Sequence, residues 1–234
     1  MHRSRSDRKT VLLFDIDGTL VTTGGCGRRA IERSFARHTG RDDAFQFPFD
    51  GMTDRAIVRR ALQAIAATAD EAAIDAFVPL YLQTLAEELE VAQHYRVHHG
   101  MERAVDEALS RSGFAVGLGT GNVKAGAKLK LDRVRLGDRF SFGGFGCDHE
   151  HRPTLIRIGA ERGAEKLGVP VSECRVVIIG DTPKDVHAAQ AIGAESIGVG
   201  TGSFGPAQLL ACGATAAFRH LDEPGALEAV LGLA

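Results

Sequence analysis

Val11-Leu12-Leu13-Phe14-Asp15-Ile16-Asp17-Gly18-Thr19-Leu20 is the stretch that decides how the rest of the chain reads. Its first four residues are apolar in succession, the pattern of a strand buried on both faces in a parallel sheet. Asp15 and Asp17 follow at the strand's carboxyl end. Alternation places them on the same side of an extended chain. Gly18 then permits a sharp turn or a close backbone approach. A carboxylate here can attack a phosphoryl group and form an acyl-phosphate. A second carboxyl beside it can protonate the leaving oxygen, then take a proton from the attacking water. The same residues would equally make an acidic turn that closes a strand.

Working outward, similar β-branched runs occur at Val11–Asp15, Ala115–Thr120, Phe140–Gly146, Val176–Asp181 and Ser196–Gly200. Helical patterns separate most of them, which predicts a parallel sheet with helices on both sides. In such sheets chemistry collects at the carboxyl edge. The interval between the first two runs is too long for one crossover helix. It holds three apolar stripes at helical spacing: Ala30, Ile31 and Phe35; Ile57, Val58, Ala61, Leu62 and Ile65; and Ile74, Phe77, Val78, Tyr81, Leu85 and Leu89. Pro79 is expected to kink or split the third. The expected architecture is therefore an α/β core, residues 1–21 and 97–234, interrupted by an all-helical insertion, residues 22–96.

Two further strand ends carry candidate chemistry. Gly119-Thr120-Gly121-Asn122 offers a hydroxyl and exposed backbone N–H groups for phosphate oxygens, or simply a capped strand-to-helix turn. In Gly180-Asp181-Thr182-Pro183-Lys184-Asp185, Thr182 reads as an N-cap, Pro183 as the first helical residue and Asp185 as a capping-box acid. That leaves Asp181 unexplained. With Asp15 it supplies hard oxygen ligands of the kind Mg²⁺ prefers.

Together, Asp15-Ile16-Asp17-Gly18-Thr19-Leu20, Thr120 and Asp181-Thr182-Pro183-Lys184-Asp185 closely resemble motifs of the haloacid dehalogenase-like hydrolase superfamily. Their order and strand-end placement match across nearly the whole chain. The insertion looks like the helical cap of phosphoglycolate phosphatase-like members, and Gly51-Met52-Thr53-Asp54 resembles a turn in that cap. The resemblance implies a Rossmann-like core and a Mg²⁺-dependent phosphohydrolase acting on a small phosphorylated metabolite. It implies Asp15 as nucleophile and Asp17 as general acid/base, with Asp17 also lending a backbone carbonyl to the metal. Thr120 would hold phosphoryl oxygens. Asp181 would bind the metal, and Asp185 would support it directly or through a hydrogen bond.

One position departs from the pattern. Where the family usually has lysine, this chain has Arg152-Pro153. Arginine keeps the charge but differs in geometry and hydrogen bonding. Arg152 is expected to contact the phosphoryl group or Asp15, and Lys184 is the competing source of that charge. Gly18, Gly121 and Asn122 are expected at the substrate. So are Thr53, Asp54 and Arg55 of the cap, with the Gly24-Gly25-Cys26-Gly27 loop. Thr53 as a helix N-cap, with Asp54 acting on the helix dipole, is the competing expectation.

Other functions are weighed on the same residues. Asp17 speaks against a 2-haloacid dehalogenase, which does not need the second acid. The absence of lysine between Thr10 and Val123 speaks against a phosphonoacetaldehyde hydrolase, which needs one in its cap. A sugar-phosphate mutase would use the same acids. A non-catalytic phosphate-binding regulator would also present a strand-end aspartate. Gly200-Thr201-Gly202-Ser203-Phe204-Gly205 spells a dinucleotide-like GxGxxG, but the chain is expected to end before another unit of sheet. His149-Glu150-His151 lacks zinc-protease spacing and reads as a polar loop, and His98-His99-Gly100 as a hinge.

Composition sets the outer limits. Of the 234 residues, 44% are hydrophobic and 25% charged, which excludes a disordered chain. No apolar run approaches the roughly 18–20 residues of a membrane helix. The net charge of -2 offers no field to attract nucleic acid. The basic start (Arg3, Arg5, Arg8, Lys9) reads as a frayed tail, and Cys26, Cys147, Cys174 and Cys212 as free thiols, giving a cytoplasmic address. A monomer or homodimer is expected.

Overall fold

The apolar stretch before Asp15 forms β1 (Thr10–Phe14), fully buried and central in the sheet of a computed structural model that describes residues 8–233. A short ribbon follows, β2 (Val21–Thr22), then three helices, α1 (Cys26–Thr39), α2 (Asp54–Ala64) and α3 (Glu71–Val91). The chain returns through β3 (Arg96–Val97), which pairs antiparallel with β2. Next come α4 (Met101–Leu109), β4 (Phe114–Gly119), α5 (Lys124–Asp132), β5 (Gly143–Gly144) and α6 (Arg152–Leu167). The last part contains β6 (Arg175–Gly180), α7 (Pro183–Ala191), β7 (Glu195–Val199), α8 (Pro206–Ala211), β8 (Ala216–Phe218) and α9 (Ala226–Leu231).

The main sheet runs β5-β4-β1-β6-β7-β8, with every neighbouring pair parallel. The α/β parallel-sheet expectation is borne out. Alternation along β1 sends Leu12 and Phe14 to one face, where they pack with Met101, Val105 and Val230. Val11 and Leu13 go to the other face, against Leu155, Ile156 and Ala160. The chain moves from β1 to β4 on one side and later crosses to β6 on the other. The sheet therefore changes direction at β1, and its carboxyl edge opens a crevice there.

The segment between the ribbon strands has its own apolar cluster. Phe35, Phe45, Phe77, Tyr81 and Leu85 belong to it, and the Phe35 and Phe45 rings meet edge-on at 5.1 Å. Three helices fall where the stripes predict. Pro79 does not split α3. It lies on the exposed face, where water can satisfy the carbonyl that loses its partner.

Other differences have steric or topological causes. Only Gly143 and Gly144 of the Phe140–Gly146 run pair with β4. A Cβ at Gly144 would overlap the Leu155 carbonyl, so α6 closes on this edge through bare backbone. A further strand, β8, follows the GxGxxG stretch and pairs with β7, so the chain does complete another unit of sheet. The basic tail lies partly outside the described residues (Arg3, Arg5), whereas Lys9 donates to the Leu167 carbonyl at 2.6 Å. All four cysteines are free. Among the described residues no helix is long and apolar enough to cross a membrane.

Phe35 is fully buried between Phe45 and Phe77. Truncation to alanine removes a ring and leaves a cavity, which costs about 3–5 kcal/mol. Urea unfolding of Phe35→Ala, followed by circular dichroism, is expected to show that loss. A loss below about 1 kcal/mol would contradict this packing.

Candidate active site

The carboxyl ends of β1, β4 and β6 deliver Asp15, Thr120 and Asp181 to one place. Asp15 is 5% exposed, and its backbone N–H donates to the Ile179 carbonyl at 2.9 Å. Carboxylate oxygens of Asp15, Asp181 and Asp185 lie within 4.8 Å of one another, all on buried residues. Arg152, the first residue of α6, is 6% exposed and enters this acidic group. Its Nη2 is 3.0 Å from Asp15 Oδ2. Its Nε donates to Asp185 Oδ1 at 3.0 Å, and Nη2 donates to the same oxygen.

The far side of Asp185 is also engaged. Its Oδ2 accepts the Thr182 backbone N–H at 3.1 Å and the Thr182 hydroxyl at 2.7 Å. The expected capping contact is present, and Thr182 caps α7 with Pro183 as its first residue. With both oxygens committed, Asp185 mainly holds Arg152. Asp181 is freer: Oδ1 accepts from Thr19 Oγ1 at 2.8 Å. A Cβ at Gly18 or Gly202 would overlap the Asp181 carboxylate, so two bare glycines leave it space. Three hard carboxylates in such a cradle suit a divalent cation that prefers oxygen.

Electrostatics agree. Burial pushes Asp15 upward, helped by the charges of Asp185 and Asp17 and opposed by Arg152. Asp181 rises for the same first reason, with Asp185 and Asp15 adding to it. Burial weakens the Arg152 charge, but Asp185 and Asp15 more than restore it, so its pKa lies above the ordinary arginine value. These carboxylates repel one another, and added positive charge relieves that repulsion.

Asp17 meets different partners. Lys130 Nζ lies 2.9 Å from Oδ1 and 2.7 Å from Oδ2. Asn122 Nδ2 donates to Oδ2 at 2.8 Å and to Thr120 Oγ1 at 2.9 Å. Loss of solvent raises Asp17, yet Lys130 and Asn122 outweigh it and hold the carboxyl below its usual range. Lys130 escaped the sequence reading. Its signal was a lysine sharing the buried stripe of α5 with Gly126, Ala127 and Leu131.

A cavity of about 420 Å³ opens over these groups. Asp15, Asp17, Thr120, Asn122, Arg152 and Asp181 line its floor, and Gly25, Gly27, Arg28, Ile31, Phe49, Met52, Asp54 and Ile57 its upper wall. Gly18 and Gly121 also line it. So do Gly202 and Ser203 of the GxGxxG loop. Thr201 anchors that loop by donating to the Gly18 carbonyl at 2.5 Å.

Some expected residues do not line the cavity. Thr53 caps α2, accepting the Ala56 N–H at 3.2 Å. Arg55 turns away to Glu71 and Asp75. Lys184 donates to the Asp50 carbonyl at 2.8 Å, so Arg152 is the cation that meets Asp15. Glu150 of the histidine-flanked loop pairs with Arg59 on α2, at 2.7 Å between Nη2 and Oε1.

The model of the haloacid dehalogenase-like hydrolases matches residues 9–193. The chain belongs to that family. No curated protein sequence matches it. Among solved structures, CbbY from Rhodobacter sphaeroides in complex with phosphate is similar, with 19% identity and a TM-score of 0.71, covering 96% of this chain and 99% of that one. A CbbY variant in complex with xylulose-(1,5)bisphosphate is 18% identical, with a TM-score of 0.71 over 93% and 96% of the chains. A predicted phosphoglycolate phosphatase from Haemophilus somnus shares 18% identity, with a TM-score of 0.64 over 94% and 96%. At these identities the likeness speaks for the haloacid dehalogenase-like fold.

Asp54 provides a test of the site's electrostatics. It is buried, and its Oδ2 accepts the Val123 N–H at 2.9 Å. Burial pushes it from the ordinary 3.8 up to about 6, with Lys130 partly offsetting. The folded value lies above the unfolded one, so Asp54 favours folding at low pH. That advantage is lost as pH rises from about 4 to 6, at a cost of about 3 kcal/mol. Asp54→Asn keeps the acceptor and removes the charge. Its melting temperature is expected to exceed wild type at pH 7–8 and to converge with it near pH 4. A variant less stable at both pH values would contradict the assignment.

Proposed function

We propose that this hydrolase is a Mg²⁺-dependent phosphatase that cleaves a small phosphate monoester through an aspartyl-phosphate on Asp15. The observation that carries the reading is the convergence of Asp15, Asp17, Thr120, Arg152 and Asp181 on one cavity. Their placement supports one order of events. An Asp15 carboxylate oxygen bonds to phosphorus, and the bond from phosphorus to the ester oxygen breaks. A proton from solvent reaches that oxygen through Asp17, which Lys130 and Asn122 hold ionised between transfers. Water then attacks phosphorus, Asp17 takes the water's proton, and the bond to Asp15 breaks to release phosphate.

Thr120 and Arg152 address the phosphoryl group. The Thr120 oxygen accepts from the Asn122 N–H and Nδ2, which leaves its own hydrogen to donate. Arg152 holds Asp15 in line and supplies positive charge where negative charge is transferred. Asp15, Asp181 and the Asp17 backbone carbonyl would hold Mg²⁺, with Asp185 behind them. When bound, the metal supplies charge that offsets repulsion between nucleophile and phosphate.

Residues 22–96 act as a cap in this reading. The cap sits on the core through Asp54, whose N–H donates to the Gly121 carbonyl at 2.9 Å. Its Ile31, Phe49, Met52, Ile57 and Asp54 face the space left for the alcohol, so they would select the substrate. A cavity of about 420 Å³ suits a small metabolite. The reading places the enzyme in the cytoplasm.

A screen of phosphate esters with Mg²⁺ tests this. Wild type is expected to turn over at least one ester, to stop on chelation and to recover with Mg²⁺. Asp15→Asn should reach background. Arg152→Ala is expected to lose about 10²-fold or more in kcat, a loss typical of an electrostatic donor, while Lys184→Ala stays near wild type. Binding of Mg²⁺ and phosphate without turnover would favour a regulator. Isomerisation restored by a bisphosphate primer would favour a mutase. A large Lys184→Ala loss beside an unaffected Arg152→Ala would reverse the charge assignment.

A further inference from the structure

We propose that Lys130 is the positioning residue of the acid–base step: its ammonium fixes the Asp17 carboxyl directly at both oxygens and, through Asn122, from a second side. The inference rests on the phosphatase reading above. Lys130 lies on α5, 3% exposed, with its backbone carbonyl accepting from Tyr95 Oη at 2.7 Å. The helix is held against α3, where Gly126 approaches Leu82 and Leu85. The ammonium is seated against the first turn of α1: a Cβ at Gly27 would lie 3.0 Å from Nζ. Lys130 thus sits between the core and the helices above it.

An ammonium has three N–H donors. Here the acceptors are Asp17 Oδ1, Asp17 Oδ2 and, at 2.6 Å, Asn122 Oδ1. No donor remains for a substrate, so Lys130 acts through these two residues. Receiving Lys130 at Oδ1 fixes which end of the Asn122 amide faces which neighbour. Nδ2 must then point to Asp17 and Thr120, as it does. The Asn122 amide is thereby locked between Asp17 and Thr120. Without Lys130 the amide can turn over, and the Asp17 carboxyl loses the one partner that holds both of its oxygens.

A residue that only neutralises charge would affect every substrate alike. A residue that aims an acid matters most where the leaving oxygen needs a proton. Two esters of similar shape separate these cases. p-Nitrophenolate leaves readily without protonation, and phenolate is the poorer leaving group. With Mg²⁺, Lys130→Met is expected to lower kcat on phenyl phosphate by about 10²-fold or more, the scale of a general-acid contribution, and on p-nitrophenyl phosphate by less than about tenfold. KM should stay near wild type for both.

A double-variant cycle removes the folding ambiguity. Asp17→Asn with Lys130→Met deletes both charges, so the buried ammonium is not left without its partner. If Lys130 works through Asp17, adding Lys130→Met to Asp17→Asn should cost little more in kcat on phenyl phosphate. Equal losses on both esters, or the same Lys130→Met loss in both backgrounds, would overturn the proposal while the phosphatase reading stands. A wild-type protein inert on both esters and on every other ester of the screen would overturn the proposal together with that reading.

Discussion

Four aspartates crowd the carboxyl edge of the sheet, and one buried arginine allows three of them to share a volume nearly closed to water. Burying a charge is expensive unless a partner compensates it. Arg152 touches Asp15 and Asp185 with one guanidinium, and its charge also acts on Asp181. Its position follows from how α6 packs. That helix approaches the sheet through Gly144, Gly159 and Gly163, where added Cβ atoms would meet Leu155, Gly144 and Val11. Close packing of α6 brings its first residue under the end of β1. Asp185 then fixes the other side of the guanidinium, which fits its full set of hydrogen bonds.

The helices above the sheet are tied to this edge by polar contacts of different kinds. Asp54 exchanges hydrogen bonds with the loop before α5, and Arg59 pairs with Glu150. Asp50 accepts from Lys184 at its carbonyl and from Ser203 at its side chain. Each contact joins a segment over the cavity to a loop at a strand end. The Asp54 contacts are buried, whereas those of Asp50 are exposed, and exposed polar contacts cost little to break. In the proposed function these contacts are the ones a cap would break on opening for exchange.

Much of this was legible in the sequence because it rests on local patterns. Apolar runs ending in Asp15, Thr120 and Asp181 gave the parallel strands and the residues at their ends. The stripes through Phe35, Ile57 and Phe77 gave the inserted helices. What escaped depends on packing between distant segments. The run Phe140–Gly146 was legible as a strand, but its shortening to Gly143 and Gly144 was not, and β8 is too short and only half-buried to stand out. Lys130 looks like any lysine on a short helix until α5 is laid beside Asp17. Arg55 sits next to Asp54 in sequence yet points to Glu71 and Asp75, because neighbours on a helix face different directions.

The proposed reaction depends on Asp15 as the nucleophile that accepts the phosphoryl group. Rapid acid quench during turnover of p-nitrophenyl phosphate, followed by peptide mass spectrometry, reads this directly. A phosphoryl group is predicted on the peptide containing Asp15, at Asp15 itself, and absent from Asp15→Asn. Turnover with a phosphoryl group trapped on Asp17, Asp181 or any other residue would contradict the account.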